Sequence, residues 1–111
     1  DIFLGIGGGP EGVLAASALD TFNCFFQGRF IFEKDEDINE AKKIGINDLD
    51  KKYNLNELVR GDSIFCATGI TSGDVLKGIK INNQEFVSET LITHKDSSLK
   101  KIIKQKKLIK E

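Results

Sequence analysis

The residues best suited to chemistry lie in two glycine-rich blocks, Gly7-Gly8-Gly9-Pro10-Glu11-Gly12 and Thr68-Gly69-Ile70-Thr71-Ser72-Gly73-Asp74. In the first, three successive glycines let the backbone turn sharply and let a ligand approach without meeting a Cβ. Pro10 suits the first helical position, because its missing N–H would be unpaired there and its φ is already helical, with Gly9 as the N-cap. The free N–H groups and the positive end of the helix dipole then face an anion, most often a phosphate. Glu11 falls in the first turn beside that anion. Two unit charges about 4 Å apart repel by roughly 4 kcal/mol at an effective dielectric near 20, enough to cancel the attraction of the dipole. A divalent cation between them reverses the sign; without one, Glu11 only complements the dipole from the surface. The second block has the hydroxyls and glycines of an anion-contacting or catalytic turn, and equally of an ordinary tight turn.

The first block also fits a rival. Gly7, Gly9 and Gly12 match G-x-G-x-x-G, a second β-like run follows from Cys24 to Phe32, and Glu33 falls near where a ribose-binding acid would stand. That spacing describes a dinucleotide-binding, Rossmann-like module. An unneutralised Glu11 between the second and third glycines, where the chain passes close to a pyrophosphate, places this reading second. A third reading is a purely structural domain that completes a neighbour's core.

The elements that would position these blocks follow from periodicity. Ile2–Ile6 is predicted to be a buried strand and Val13–Leu19 a helix, so the first block is a strand–loop–helix corner. Asn23 to Phe32 reads as a strand beside the first, interrupted at Gly28. Glu33 to Asp37 is a solvated acidic connection with Asp35 or Asp37 available as a cap, and Ile38 to Ile44 is a short helix stopped by Gly45. Asn54 or Asn56 caps a helix over Leu55 to Val59, closed by Gly61, and Ser63 to Ala67 is the strand entering the second block. From Val75 the pattern alternates: Val75 to Ile81, a turn at Asn82-Asn83, Phe86 to Thr93, a turn at Asp96-Ser97-Ser98, and Leu99 to Ile103, an antiparallel meander.

At 111 residues the chain is one domain, and a net charge of −1 with a pI of about 5.9 gives no overall drive toward nucleic acid or membrane. It starts at Asp1, directly in an expected strand, and is read as a piece of something longer. No apolar stretch approaches the roughly 20 residues of a membrane span. Cys24 and Cys66 lie in apolar runs without metal-ligand spacing and read as reduced, buried and structural in a cytoplasmic setting. His94 reads as a surface residue at a strand end. The Lys-rich tail from Lys100 to Lys110 reads as a solvated edge strand protected by its charges.

The order and spacing of the two blocks carry a resemblance. Gly5-Ile6-Gly7-Gly8-Gly9-Pro10-Glu11-Gly12, then Gln27-Gly28-Arg29, then Ala67-Thr68-Gly69-Ile70-Thr71-Ser72-Gly73-Asp74-Val75-Leu76-Lys77-Gly78 resemble the C-terminal part of the class II bacterial fructose-1,6-bisphosphatases, a family that in cyanobacteria also hydrolyses sedoheptulose 1,7-bisphosphate. The resemblance covers the chain to about Thr93. It implies an α/β, layered sugar-phosphatase fold of which residues 1–111 are the C-terminal portion, ending in the antiparallel meander. It further implies a sugar bisphosphate substrate, hydrolysis of its 1-phosphate with Mn²⁺ or Mg²⁺ as cofactor, a role in gluconeogenesis or the Calvin cycle, and a cytoplasmic homo-oligomer. By the same resemblance Glu11 is a metal ligand and Gly8 contacts the sugar phosphate, while the remaining ligands lie upstream of these residues, so the piece alone is expected to be inactive.

Overall fold

The computed structural model describes residues 1–109, a mixed α/β arrangement whose sheets are antiparallel throughout. Helix α1 spans Gly9–Thr21, with Gly8 as its extended N-cap and a first helical bond from the Gly12 N–H to the Gly8 carbonyl at 3.0 Å. The cap therefore stands one residue before the expected Gly9. Pro10 moves to the second helical position, still among the N–H groups that have no helical partner. The expected buried strand at Ile2–Ile6 is not formed, and Ile2 and Phe3 are 91% and 93% exposed. A strand is made by its ladder, and among the described residues no neighbour pairs with this segment.

The predicted second strand shrinks for the same reason. Only Gln27–Gly28 (β1) is paired, antiparallel to Tyr53–Asn54 (β2), and the pairing continues as the Leu55 N–H donates to the Phe26 carbonyl at 3.1 Å. Beside it Phe30 packs edge-on to Tyr53, with ring centroids 5.6 Å apart. Helix α2 covers Asp35–Lys43. Lys34 is its N-cap, so Asp35, Glu36 and Asp37 act on the dipole from the first turn instead of capping. Gly45 follows at φ +95°, the left-handed stop its position demanded. Helix α3, Leu55–Leu58, is held at its start by Glu57, which accepts the Asn54 N–H at 2.9 Å.

The main sheet is the predicted meander with altered bounds. β5 (Glu85–His94) is its centre, and β6 (Leu99–Leu108) pairs along the whole of one edge. The other edge is shared end to end by β3 (Ile64–Thr68), opposite His94 to Thr90, and β4 (Lys80–Asn82), opposite Val87 to Glu85. The expected long strand over Val75 to Ile81 is therefore cut to three residues. Residues 69–79 leave the sheet as a loop whose neck is closed by the Ile79 N–H donating to the Ile70 carbonyl at 3.1 Å. Asn83 and Ser98 take φ of 47° and 55° in the two hairpin turns. With all strand pairs antiparallel, the parallel β-α-β unit of the dinucleotide reading is absent among the described residues.

Apolar burial is slight. Ala16 and Ala41 are the buried hydrophobic residues among those described, and the radius of gyration is 18.4 Å, where a compact domain of this length has about 13 Å. Both cysteines, expected to be buried, are exposed and free: Cys66 alternates onto the face of β3 opposite Phe65, and Cys24 lies beyond the end of α1. Helix α1 is held to the sheet by polar groups. The Thr21 hydroxyl meets the Thr93 hydroxyl at 2.7 Å, both buried, and buried Asp20 accepts from the Ser63 hydroxyl at 3.3 Å and pairs with Lys95 at 2.9 Å.

Two outcomes follow for stability. A Cβ on Gly78 would lie 2.7 Å from the Ser72 N and 2.8 Å from the Ile70 O, both backbone, whereas at Gly73 nothing lies within 4 Å. Gly78→Ala should lower stability by about 1–3 kcal/mol and Gly73→Ala should change it by less than about 1 kcal/mol, read as urea midpoints. The second outcome concerns acid. The hydrogen bond from His94, followed by the Asp96 N–H, holds the Asp62 carboxyl below its ordinary value of 3.8 despite opposing desolvation. A depressed carboxylate contributes stability that is present above its unfolded value and lost as pH falls through its folded one. Asp62→Asn should therefore flatten the loss of stability below about pH 4, measured as denaturation midpoint against pH.

Candidate functional site

The first turn of α1 brings Gly8 and Glu11 together. The Glu11 side chain folds back over the N-cap, so that a Cβ on Gly8 would overlap Glu11 Oε2 and stand 3.2 Å from its Cδ. Gly8 has φ −67°, a conformation open to any residue, and the atoms in the way belong to the end of an exposed, flexible side chain, so a larger residue here would push the Glu11 carboxylate aside. At Gly7, Gly9 and Gly12 an added Cβ would meet nothing within 4 Å, and these positions leave the corner uncovered. The result is an exposed carboxylate set directly over the positive end of a 13-residue helix, beside first-turn N–H groups that have no helical acceptor.

That arrangement can hold a cation on the carboxylate and an anion on the N–H groups. Glu11 is one oxygen ligand where a divalent ion takes six or more. Among the described residues no three His, Cys, Asp or Glu side chains come together. The donor type fits a hard cation, and this chain offers it one side-chain ligand.

The second block does not join the first through any hydrogen bond or ion pair among the described residues. It is organised around Glu89. The Glu89 carbonyl accepts the Gly69 N–H and its carboxylate accepts the Lys77 N–H, each at 3.0 Å. The Ser72 hydroxyl accepts the Gly78 N–H at 3.0 Å, and Thr68 and Thr90 hydroxyls meet at 2.8 Å across β3 and β5. A Cβ on Gly69 would overlap the Lys77 carbonyl. The Ser72 hydroxyl and the glycines at 69 and 78 thus serve the folding of the loop back on itself.

His94 does end a strand, as expected, but it has partners. Its Nε2 meets the Asp62 carboxylate and its Nδ1 meets the Ser97 hydroxyl at 2.7 Å, while Asp62 also accepts the Asp96 N–H at 3.1 Å. Asp62 lies 32 residues away, so local spacing gave no sign of it; Ser97, three residues on in the hairpin turn, was the visible half. This chain ties the entry of β3 to the β5–β6 turn and does not touch the Gly8–Glu11 corner.

Comparison with known proteins bears on this corner. A profile described as bacterial fructose-1,6-bisphosphatase, glpX-encoded, matches residues 1–107. A fructose-1,6-bisphosphatase class 2 of Haemophilus influenzae is 41% identical over 116 aligned positions, covering 92% of this chain and 35% of that protein. A D-fructose 1,6-bisphosphatase class 2/sedoheptulose 1,7-bisphosphatase of Synechococcus sp. (strain JA-2-3B'a(2-13)) is 36% identical over 107, covering 85% and 31%. One of Trichormus variabilis is 30% identical over 113, covering 90% and 33%. The chain spans about a third of the length of these relatives. With the match running through both glycine blocks and nearly to the last residue, the chain belongs to the glpX-encoded bacterial fructose-1,6-bisphosphatase family.

Proposed function

We propose that this chain is the C-terminal portion of a layered, metal-dependent sugar bisphosphatase that hydrolyses the 1-phosphate of fructose 1,6-bisphosphate or sedoheptulose 1,7-bisphosphate. The observation that carries the reading is the contact of Gly8 with Glu11. A carboxylate at a phosphate-binding helix terminus is unfavourable unless a cation lies between it and the phosphate, and here the Glu11 carboxylate stands over the open side of Gly8 at that terminus. The relatives named as bisphosphatases add their support.

Each residue then has a task. Glu11 supplies one oxygen to a Mn²⁺ or Mg²⁺ ion, with the other ligands coming from outside these residues. When bound, the ion polarises the phosphoryl group toward attack by water. Gly8 contacts the phosphate at the helix terminus beside that carboxylate, where the N–H groups of α1 stabilise charge as it builds on the phosphoryl oxygens. No helix of the described residues is long and apolar enough to cross a membrane.

Three measurements test this. Glu11→Gln in the protein that carries this chain keeps the shape and removes the charge, so metal affinity and turnover should fall together and added Mn²⁺ should restore part of the rate. Its stability should change by only about 0.3–1 kcal/mol; unchanged rate and metal dependence would refute Glu11 as a ligand. Gly8→Ala displaces the carboxylate without altering it and should reproduce the metal defect, while Gly9→Ala, with open space around it, should not. The 111 residues alone should release no phosphate from fructose 1,6-bisphosphate, since they bring a single carboxylate to the corner.

A further inference from the structure

Helix α1 covers only part of its face of the sheet. Alternation along β5 puts Val87, Glu89, Leu91 and Thr93 on that face. Thr93, at one end, is where Thr21 docks. At the other end lies a groove lined by Lys77, Lys80, Lys104 and Lys106 around Val87 and Glu89, and no residue of α1 reaches it. The register explains the convergence: Lys80 of β4 and Lys106 of β6 stand on either side of Val87, and Lys104 stands opposite Glu89.

Adjacent strands lie about 4.8 Å apart, so the backbones of Lys80 and Lys106 are roughly 10 Å apart, and their side chains can meet over a group seated on Val87. Glu89 is the one carboxylate among the lining residues, so four ammonium groups against one carboxylate leave the groove net positive. Glu89 accepts the Lys77 N–H at 3.0 Å, and none of the four ammonium groups takes part in an ion pair among the described residues. Glu85, the next acid on this face of β5, lies beyond Val87 at the end of the strand. Protection of an edge strand by lysine accounts for the charges on both faces of β6, Lys101 and Lys107 included. The same protection covers Lys80 on the opposite edge, but it does not account for Lys77, which lies in the loop before β4 and lines the same groove.

We propose that this groove binds a small polyvalent phosphate, a compound with two or more linked phosphoryl groups, through Lys80, Lys104 and Lys106, with Lys77 at its rim. Lysine meets phosphate as a point charge on a flexible stem, and three such stems around an apolar floor suit a compact anion with charge on several sides.

Isothermal titration with sodium pyrophosphate tests it on the protein that carries this chain, with divalent ions chelated and ionic strength held constant. Saturable binding is expected, weakened about tenfold or more by Lys104→Gln with Lys106→Gln. Lys101→Gln with Lys107→Gln, on the opposite face, should bind like the parent, and so should Lys104→Arg with Lys106→Arg. Glu11→Gln should also leave this binding unchanged, so the result stands apart from the role of Glu11. No saturable binding, equal loss in both glutamine pairs, or a loss confined to Glu11→Gln would each overturn the proposal.

Discussion

The position of everything at the amino-terminal corner depends on a knot of hydrogen bonds between the end of α1 and the sheet. Thr21 and Thr93 share a buried hydroxyl contact, and Asp20 gathers Ser63 and Lys95 beside it. A helix normally settles on a sheet by its apolar stripe, which leaves its rotation and slide loosely determined. Here Val13 and Leu14 stay exposed and small Ala16 is the one buried apolar residue of the helix. Directional bonds then set the axis of α1, and with it the place where Gly8 and Glu11 present their atoms. Loss of one partner would strand a buried hydroxyl at a cost of about 1–3 kcal/mol.

The helical part of this architecture was legible because its signals are local. Pro10, the acids of Asp35–Asp37 and Gly45 each act within a turn, and the helices they bound appear within a few residues of expectation, whereas Gly61, expected to close α3, stands beyond its extended C-cap Val59. The meander was legible for the same reason, since β5 and β6 are joined by a short turn marked by Asp96-Ser97-Ser98. The strands at Ile2–Ile6 and Cys24–Phe32 were misread because composition reports a preference for burial and cannot report whether a partner exists. Apolar residues such as Ile2, Phe3 and Phe25 find none among the described residues.

The Gly8–Glu11 corner was legible as a pair of residues but not as a contact. Charge repulsion argued for a cation beside Glu11; that the carboxylate folds back onto the cap over Gly8 depends on a side-chain conformation that residue types do not specify. The Asp62–His94–Ser97 chain and the lysine groove were less visible still. Both join segments far apart in sequence through register, which single residues do not announce.

Because β3 and β4 lie on one edge of β5 on either side of a loop, β5 acts as a splint for both. The loop over 69–79 is pinched at its neck by the Ile70–Ile79 bond and by Glu89. The pairing of each flanking strand is thus set by β5 and not by how much chain lies between them. Beyond the neck, the stretch from Gly73 to Leu76 is closed by its own turn, the Gly73 N–H donating to the Leu76 carbonyl at 2.9 Å, so its shape is set apart from the strand pairing.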